Sequence, residues 1–436
     1  MEEKKDQQAI LNKLSIEHLN KMQEDTEKAI SSNKEVVLLS PTGTGKTLAF
    51  LLPVVAQLNP DYNQVQVLIL VPSRELAIQI EQVAREMGSG YKINAVYGGR
   101  AGAKDKMDLK QPPAILIGTP GRVADHLRKF SFITGGIKTL ILDEFDKSLE
   151  VGFEKEMKEI VEALPQVEQK ILTSATQKAK IPGFMGLRNP KNLNYLTDEK
   201  SQLALKTVVS SGNKLETLAD LIGHIGGGSG IVFCNYKDSI QDVSDYLNSM
   251  GINHGCFYGG LEQIDRERSL IKFRNGTHQI LLATDLAARG IDVPEMDFII
   301  HYEMPYKADE FTHRNGRTAR MNSEGTAFII KGKQEQLPEF IKGAELEKIE
   351  QGNIVKSSNW TTLYISGGRK DKISKGDVAG LFFKQGGLKK GELGVIELKQ
   401  DCVFVAVPSK KANQLISELN NSRIKKRKVR ISLLNN

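Results

Sequence analysis

The feature that most constrains the fold is a recurrence of short apolar runs, separated by segments in which apolar residues have helical spacing. The runs are four to seven residues long, rich in Leu and β-branched residues, and each is followed by Ser, Pro, Gly or Asp. This alternation is typical of parallel β-sheets whose two faces are covered by helices. In the first part of the chain the runs are residues 36–39, 65–71, 114–117, 139–142 and 170–173.

The same pattern restarts after a weakly patterned stretch at residues 196–207. The second set of apolar runs is residues 231–234, 280–283, 298–300 and 326–330. We therefore predict one α/β domain at residues 1–200 and a second at residues 201–342. A polar linker at residues 343–358 then leads to residues 359–436, whose mixed patterns predict a small α+β domain.

The composition is that of an ordinary globular protein and excludes several other classes. Of 436 residues, 40% are hydrophobic and 26% are charged, which excludes a disordered chain, a collagen-like fibre and a disulfide mini-protein. The apolar runs are shorter than the roughly 18 residues that a membrane span requires, and the first residues lack an export signal. Cys234, Cys256 and Cys402 show no paired spacing, so we expect no disulfide framework or zinc site and a cytoplasmic location.

The positive charge is concentrated at the end of the chain. The formal net charge is +7, and the last 78 residues contain 16 Lys and Arg against 6 Asp and Glu. Residues 423–430 include six cations and no acid. A basic domain on a nearly neutral body indicates a polyanionic partner, and the alternative is an ordinary solvated surface.

Residues 40–47 predict a phosphate site. They read Ser-Pro-Thr-Gly-Thr-Gly-Lys-Thr and lie between the first apolar run and a helical segment. A glycine-rich turn at the start of a helix presents backbone N–H groups to a phosphate, and the alternative is a purely structural turn. We expect Lys46 to reach the β- and γ-phosphates and the Thr47 hydroxyl to bind Mg²⁺. The predicted phosphate-binding residues are Ser40, Pro41, Thr42, Gly43, Thr44, Gly45, Lys46 and Thr47.

Carboxylates follow the fourth apolar run of the first domain. Asp143, Glu144 and Asp146 stand directly after residues 139–142. Mg²⁺ prefers oxygen ligands, so Asp143 is the predicted metal ligand together with Thr47. Glu144 is placed to activate the water that attacks the γ-phosphate. The alternative is an acidic strand end exposed on the surface.

The second domain contains two arginines with helical spacing. Arg317 and Arg320 are three residues apart, so they share one face of a helix or turn. Guanidinium groups stabilise the charge that spreads over the γ-phosphate oxygens during phosphoryl transfer. We expect these arginines to complete the nucleotide site when the two domains close, and the alternative is an exposed arginine-rich turn.

Together these motifs resemble the DEAD-box RNA helicases, with Asp-Glu-Phe-Asp in place of Asp-Glu-Ala-Asp. The agreement in order, spacing and residue type extends over about 340 residues. The motifs are Gln23, residues 40–47, Pro72-Ser-Arg-Glu-Leu76, Gly98-Gly99, Thr119-Pro-Gly-Arg122, residues 143–146, Ser174-Ala-Thr176, Val232-Phe-Cys-Asn235, Gln263-x-x-Arg266, Thr284-Asp285, Ala288-Arg-Gly-Ile-Asp292 and residues 313–320.

The resemblance implies an α/β protein with two RecA-like parallel-sheet domains in tandem, which binds ATP and Mg²⁺ and locally unwinds RNA. It implies that Ser174 and Thr176 couple hydrolysis to RNA contact through Asp146, and that Asp292 holds the ribose. Arginines, hydroxyls and backbone amides suit the RNA phosphates and 2′-hydroxyls. The residues that the resemblance assigns to RNA are Arg74, Gly99, Thr119, Arg122, Gln263, Arg266 and Thr284.

The sequence departs from the family in the segment that reads the adenine base. Gln23 has a helical setting from which its amide is expected to pair with adenine. However, no Phe, Tyr or Trp precedes Phe50, so no upstream aromatic ring is available to stack on a purine. We therefore hypothesise that nucleotide-base selectivity is relaxed. Phe145 replaces the family's alanine, and we expect its ring to pack into the core behind the site.

Residues 360–434 resemble the C-terminal RNA-binding domain of DbpA-type helicases, a small α+β fold similar to an RNA recognition motif (RRM). The resemblance implies recognition of large-subunit ribosomal RNA near the peptidyl-transferase centre, with pre-ribosomal particles as partners. We also expect a monomer and, from the short apolar runs, no membrane partner. Tyr364 and Phe404 lie on strands suited to base stacking, and the alternative is that either ring belongs to the core. Lys425, Lys426 and Arg427 are expected to grip phosphates.

Two other functions compete with an RNA helicase. One is an RNA chaperone that does not hydrolyse ATP. The incomplete adenine segment favours this alternative. The presence of the predicted catalytic residues argues against it, namely Lys46, Asp143, Glu144, Arg317 and Arg320. The other is a DNA helicase of the wider superfamily, which the Pro-Ser-Arg-Glu-Leu and Ser-Ala-Thr motifs and the basic C-terminal domain disfavour.

Overall fold

The computed structural model describes residues 7–41, 43–99, 102–150, 152–176, 181–196, 203–288, 293, 296–319, 324–350 and 358–434. These residues form two compact units, the first extending to residue 196 and the second beginning at residue 203. In the described part of the chain, no helix is both long and apolar enough to cross a bilayer.

A parallel sheet lies at the centre of the first unit. Its strands in chain order are β1 (Glu35–Leu39), β2 (Val67–Leu70), β3 (Ile93–Val96), β4 (Ile115–Gly118), β5 (Thr139–Leu142), β6 (Gln169–Ser174) and β7 (Lys191–Asn194). Across the sheet they lie in the order β3-β4-β2-β5-β6-β1-β7, and neighbouring strands are parallel. The carboxyl ends of β5, β6 and β1 are therefore adjacent, and so are the segments that follow these strands.

Helices cover both faces of this sheet. They are α1 (Gln7–Lys13), α2 (Lys21–Ser32), α3 (Lys46–Ala56), α4 (Arg74–Met87), α5 (Gly102–Leu109), α6 (Pro120–Arg128), α7 (Phe145–Glu150), α8 (Glu154–Glu162) and the 3₁₀ turn Gly183–Met185. Ile69 belongs to the hydrophobic core on one face, whereas Leu68 and Leu70 belong to the core on the other. This follows from the alternation of side chains along a strand.

The predicted parallel sheet is confirmed, with two strands that the apolar pattern did not indicate. The predicted runs coincide with β1, β2, β4, β5 and β6. In β3 the apolar run is interrupted by Asn94, which is nevertheless buried. β7 is an edge strand of partly exposed, mostly polar residues, so burial imposes no apolar pattern on it.

The second unit contains a similar parallel sheet. Its strands are β8 (Leu203–Ser210), β9 (Gly230–Phe233), β10 (His254–Phe257), β11 (Ile280–Ala283), β12 (Phe298–His301), β13 (Gly325–Gly332) and β14 (Glu345–Leu346). They lie in the order β10-β11-β9-β12-β13-β8-β14. The helices are α9 (Lys214–Ile225), α10 (Lys237–Ser249), α11 (Gln263–Arg274), α12 (Asp285–Ala288) and α13 (Ala308–Asn315).

β10 lies outside the predicted apolar runs, and two further strands of this sheet lie where the sequence predicted little regular structure. β8 begins inside the weakly patterned stretch and pairs along its length with β13. β14 lies in the segment expected to be a linker and extends the sheet beside β8. Both lie toward the edge of the sheet, and the residues of β14 are exposed, which explains the weak apolar signal.

The end of the second unit is a four-stranded antiparallel sheet with two helices. Its strands are β15 (Trp360–Ser366), β16 (Ile396–Leu398), β17 (Cys402–Pro408) and, beyond a short hairpin of β18 (Arg423–Ile424) and β19 (Arg427–Lys428), β20 (Ile431–Leu433). The order is β16-β17-β15-β20. The helices are α14 (Lys375–Lys384) and α15 (Ala412–Leu419), with 3₁₀ turns at Arg369–Asp371 and Ser409–Lys411.

The two faces of this small sheet have different neighbours. Leu363, Ile365 and the alternate valines of β17 pack against α14 and α15 in one core. Tyr364 and Phe404 face the other way, as expected for strand residues in adjacent positions, and cluster with Ile271 of α11. The sheet is thus packed against α11 of the α/β domain that precedes it.

Polar contacts reinforce this packing of the small sheet on α11. The Arg274 guanidinium donates two hydrogen bonds of 2.8 Å to the carboxylate of Glu397. The Lys399 ammonium lies 2.7 Å from a carboxylate oxygen of Glu267. Two parallel hydrogen bonds between a guanidinium and a carboxylate fix the relative orientation of the two side chains. This pair therefore helps to hold the small domain in one position on α11.

We expect the second unit to lose stability as the pH falls from 6.5 toward 5. Burial lowers the pKa of His301 to about 3 and that of His278 to about 4, from an ordinary value of 6.5. Below pH 6.5 the unfolded chain takes up protons on these histidines while the folded protein does not, so the free energy of unfolding decreases. Each histidine contributes at most about 1.4 kcal/mol per pH unit.

Calorimetric melting of the full chain over this pH range checks the prediction. The variant His278→Gln is expected to show a weaker pH dependence than the parent. His224→Gln is the matched control, because His224 is partly exposed and close to Glu347. A melting temperature of the second unit that does not change over this range contradicts the prediction.

Candidate active site

The loop between β1 and α3 presents an anion-binding surface at the carboxyl edge of the first sheet. Gly43 and Gly45 have φ angles of +83° and +87°, a conformation that glycine adopts without strain. The N–H groups in the first turn of α3 have no partner within the helix. Lys46 is 8% exposed, and its ammonium donates to the carbonyls of Ser40 (2.7 Å) and Pro41 (2.8 Å). The loop thus combines backbone donors with a buried cation, as a polyphosphate requires.

A buried carboxylate follows β5, two strands away from this loop in the same sheet. Asp143 is 3% exposed, and burial raises the pKa of its carboxyl group, although the Thr173 hydroxyl and Lys46 act in the opposite direction. The N–H of Glu144 donates to Asp143 Oδ1 (3.1 Å) and Thr173 Oγ1 (3.3 Å). Glu144 has a φ of +49°, so its backbone is held in a conformation that costs about 1–3 kcal/mol.

Thr47 and Asp143 have the chemistry of a Mg²⁺ site. Within the described residues, no group of three or more His, Cys, Asp or Glu side chains is arranged to hold a metal. One carboxylate and one hydroxyl nevertheless fit Mg²⁺, which keeps water and phosphate oxygens as its other ligands. A divalent cation would also favour the ionised form of Asp143, which burial alone disfavours.

The segment after β6 is linked to the carboxylates after β5. The Thr176 hydroxyl donates to Asp146 Oδ2 (2.9 Å), and the Thr176 N–H donates to the Ser174 hydroxyl oxygen (2.9 Å). The structure therefore brings together the three residues predicted to couple hydrolysis to RNA contact. Phe145 is 1% exposed and lies in a core beneath the sheet, which confirms the expectation that its ring packs behind the site.

Gln23 lies against the phosphate loop with both ends of its amide engaged. Its Oε1 accepts from the Asn20 N–H (3.0 Å) at the start of α2, and its Nε2 donates to the Gly45 carbonyl (3.3 Å). A side chain at position 45 would collide with this amide. Gln23 thus connects the beginning of α2 to the loop, and the hypothesis of relaxed base selectivity stays a prediction.

Arg314 organises the carboxyl edge of the second sheet and was missed as a site residue at the level of sequence. It is 1% exposed. Its guanidinium donates to Asp285 Oδ1 (2.8 Å), to the Glu303 carbonyl (2.7 Å) and to Asn235 Oδ1 (2.7 Å). These partners follow β11, β12 and β9, so one side chain connects three strand ends. Its position beside Arg317 in the same motif was the available signal.

Of the two arginines predicted to contact phosphate, only Arg317 is among the described residues. Arg317 is 6% exposed, and its carbonyl accepts from the Met296 N–H (3.1 Å). Arg320 lies outside the described residues, as do Thr42 and Asp292.

Residues assigned to RNA come together in pairs in the first unit. The Arg74 guanidinium lies against Gly99, whose φ is +85° and where a Cβ would be 2.6 Å from Arg74 Nη1. The backbone conformation therefore favours glycine at position 99, and a larger residue there would also displace the Arg74 guanidinium. Thr119 is the buried N-cap of α6, next to Arg122 in the same segment.

Arg122 is held by a buried carboxylate that the sequence did not indicate. Its Nε and Nη2 donate to Asp105 Oδ2 at 2.9 and 2.8 Å, and the Asp105 side chain is fully buried. His126 Nε2 lies 3.3 Å from the same oxygen. Asp105 is in α5 and its partners are in α6, so this cluster joins the helices that follow the Gly98-Gly99 and Thr119 segments.

The residues assigned to RNA in the second unit differ in exposure. Gln263 is the first residue of α11. Arg266 is 8% exposed, and its guanidinium carbon lies 4.8 Å from the centre of the Phe257 ring. Thr284 is partly exposed at the end of β11, directly before Asp285. Thr284 is therefore more accessible than Arg266.

Tyr364 and Phe404 form a ring pair on the small sheet, with centroids 5.9 Å apart. Phe404 is 7% exposed because Ile271 of α11 covers it. In this arrangement Phe404 is not accessible to a nucleobase, which favours the core alternative for that ring. The physical reason is the packing of the sheet on α11, a contact between residues far apart in the chain.

The hairpin of β18 and β19 carries the predicted phosphate-binding cations on the surface. Lys425, Lys426 and Arg427 are exposed. The Lys425 ammonium lies 2.9 Å from Asp377. Hydrogen bonds from Ser374 and Lys425 lower the pKa of Asp377 to about 2. The hairpin therefore offers a basic surface that is separate from the face packed on α11.

Family models match the chain in three segments. The DEAD/DEAH box helicase model matches residues 20–182, and the helicase conserved C-terminal domain model matches residues 213–322. The DbpA RNA binding domain model matches residues 362–433.

Similar proteins and structures agree with these matches. The chain is 30% identical to "ATP-dependent RNA helicase DbpA" of Bacillus subtilis, covering 95% of this chain and 94% of the relative. It is 32% identical to the protein of the same name in Escherichia coli, covering 97% and 96%. Among solved structures, S. cerevisiae Dbp5 bound to RNA and ADP BeF3 matches with a TM-score of 0.67 and 26% identity over 74% of this chain and 86% of that one. Mss116p bound to ssRNA and AMP-PNP also has a TM-score of 0.67, at 26% identity, covering 76% and 73%.

Proposed function

Because the chain belongs to the DEAD/DEAH box helicase family and is an ATP-dependent RNA helicase with a DbpA RNA-binding domain, we propose that it remodels large-subunit ribosomal RNA during ribosome assembly. Its action is local unwinding of short duplexes. The observation that carries the ribosomal target is the DbpA-type domain, whose basic hairpin is exposed. This target is consistent with a cytoplasmic, monomeric protein that acts on pre-ribosomal particles.

The nucleotide chemistry is assigned to residues of both helicase domains. Residues 40–47 bind the phosphates of ATP, and Glu144 orients the attacking water. Thr47 and Asp143 would hold Mg²⁺, which would neutralise charge on the phosphates when bound. Arg317 and Arg320 stabilise the charge on the transferred phosphoryl group, and Asp292 and Gln23 contact the nucleoside.

The remaining assignments concern domains and RNA. We place the helicase domains at residues 1–200 and 201–342 and the RRM-like RNA-binding domain at residues 359–436, after a connection at 343–358. The helicase domains contact the RNA backbone through Arg74, Gly99, Thr119, Arg122, Gln263, Arg266 and Thr284.

The RNA target is tested by the concentration of RNA that half-maximally stimulates ATP hydrolysis. A ribosomal RNA fragment from near the peptidyl-transferase centre is expected to act at a concentration at least about tenfold lower than an unrelated RNA of equal length. Replacing Lys425, Lys426 and Arg427 by alanine is expected to remove this advantage, because contacts to phosphate and the release of counterions are lost. The salt dependence of binding is expected to weaken in parallel.

Alanine at Lys384, Lys389 and Lys390 is the matched control, because these exposed lysines lie in the same domain and remove the same charge. Equal stimulation of the parent by the two RNAs contradicts the ribosomal target. Equal effects of the two triple substitutions contradict the assignment of the hairpin.

A further inference from the structure

Two tyrosines are exposed side by side at the carboxyl edge of the second sheet. Tyr236 follows β9 and Tyr306 follows β12, and these two strands are neighbours. Their side chains are exposed, at 57% and 68%, and the two hydroxyl oxygens lie 2.8 Å apart. The hydrogen bond between the hydroxyls keeps the two rings together on the surface. Neither tyrosine belongs to the nucleotide or RNA residues assigned above.

The tyrosine pair is connected to the loop that carries Thr284. Asn235, directly before Tyr236, and Asp285, directly after Thr284, both accept hydrogen bonds from the buried Arg314 guanidinium. β11 and β12 flank β9 on its two sides, so the three loops lie next to each other at one edge of the sheet. Ligands of open parallel sheets bind at this edge.

Charged side chains of both signs surround the pair, so its affinity for RNA must come mainly from the rings. Lys237 and Lys307 each follow one of the tyrosines and are exposed. Glu303 accepts from the Asn235 N–H (2.6 Å) and Glu310 from the Tyr306 N–H (3.0 Å), and the carboxylates of Asp238 and Asp309 also lie within three residues of a tyrosine. The surface thus presents two exposed aromatic rings beside two exposed lysines, and aromatic rings on which bases stack are a usual part of a site for single-stranded nucleic acid.

We propose that Tyr236 and Tyr306 form a stacking platform for an unpaired base of single-stranded RNA. A base in a duplex is already stacked and paired, so an external ring gains contact only with a base that has left the helix. The platform therefore favours the separated strand over the duplex. The proposal deepens the helicase activity of the family and does not depend on the ribosomal target.

The test measures binding of a short fluorescent oligouridylate to the full chain in the presence of AMP-PNP. The double variant Tyr236→Ala, Tyr306→Ala is expected to bind about 5- to 150-fold more weakly, the range found for loss of base–aromatic stacking. The double variant with Phe at both positions keeps the rings and loses the hydroxyl bond, so its affinity is expected to stay within about twofold of the parent. Tyr62→Ala is the matched control, because Tyr62 is also exposed but lies before β2, at the amino edge of the first sheet.

A second arm identifies the base itself. Abasic sites are introduced one at a time along the oligonucleotide, and one of them is expected to weaken binding to the parent but not to the double alanine variant. Photo-crosslinking of 5-iodouridine at that position is expected to modify Tyr236 or Tyr306. The proposal is overturned if the alanine variant binds as the parent does, if the Phe variant is as weak as the alanine variant, or if no abasic position shows this difference. Failure of ribosomal selectivity alone leaves these results unchanged.

Discussion

Replacing Glu144 by glutamine is expected to slow RNA-stimulated ATP hydrolysis by about 10²- to 10⁴-fold, the usual contribution of a positioned general base. The backbone N–H of Glu144 is anchored to Asp143 and Thr173. These hydrogen bonds and the left-handed backbone conformation of Glu144 therefore fix the position of its Cα and the direction of its Cα–Cβ bond. Glutamine keeps the size of the side chain and loses the carboxylate that orients and activates water. Steady-state ATPase rates with and without RNA measure the effect.

Nucleotide binding separates this effect from a loss of the site. The Glu144→Gln protein is expected to bind ATP as the parent does, because the phosphate loop is unchanged. Glu154→Gln is the control, since Glu154 is an exposed residue in the first turn of the nearby helix α8. An ATPase rate within about twofold of the parent would contradict the role of Glu144 and favour the chaperone alternative.

Replacing Arg314 by alanine is expected to lower the free energy of unfolding of the second unit by about 3 kcal/mol and to reduce RNA-stimulated ATPase activity strongly. Arg314 is fully buried and satisfies acceptors after three strands, so its removal leaves Asp285 and Asn235 without their donor. Lysine at this position keeps the charge but not the planar fork, so it is expected to restore only part of the stability. Calorimetric melting of the full chain measures the stability of the alanine and lysine variants, and a steady-state ATPase assay with RNA measures the loss of activity.

The matched control for Arg314 is Arg268→Ala. Arg268 is an arginine of the same unit whose ion pair with Asp265, at 4.0 Å, is on the surface. Pairs of this kind contribute about 0–1 kcal/mol, so little change is expected. Similar destabilisation by the two substitutions would show that Arg314 has no special organising role.

The alternation of apolar runs was sufficient to predict both parallel sheets, and the two helicase domains are RecA-like, as the resemblance implied. The strands β2, β4 and β5 are buried throughout and therefore leave a continuous apolar signal. β7 and β14 leave none, because edge strands with exposed residues are not required to be apolar. The apolar pattern of a sequence reflects which residues are buried, and it does not show which strands pair with each other.

The candidate site was predictable where residues close in sequence do the chemistry together. The phosphate loop and the Asp143–Asp146 segment are of this kind. Asp105 holds Arg122 across two helices, and Ile271 covers Phe404 from another part of the chain. Such partners are brought together only by the tertiary fold, so a local motif cannot indicate them. For the same reason, the sequence left open whether Phe404 faces bases or the core.

The mounting of the small sheet on α11 has a consequence for how far the enzyme reaches along its substrate. The hairpin with Lys425 and the loop with Thr284 belong to the same compact unit, joined through the Arg274–Glu397 pair. If the hairpin binds one RNA element, as proposed, the second helicase domain would meet the RNA strand at a fixed number of nucleotides from that element. Under that proposal, duplexes at other distances from the bound element would be unwound less well, and changing this distance in a model RNA would test the consequence.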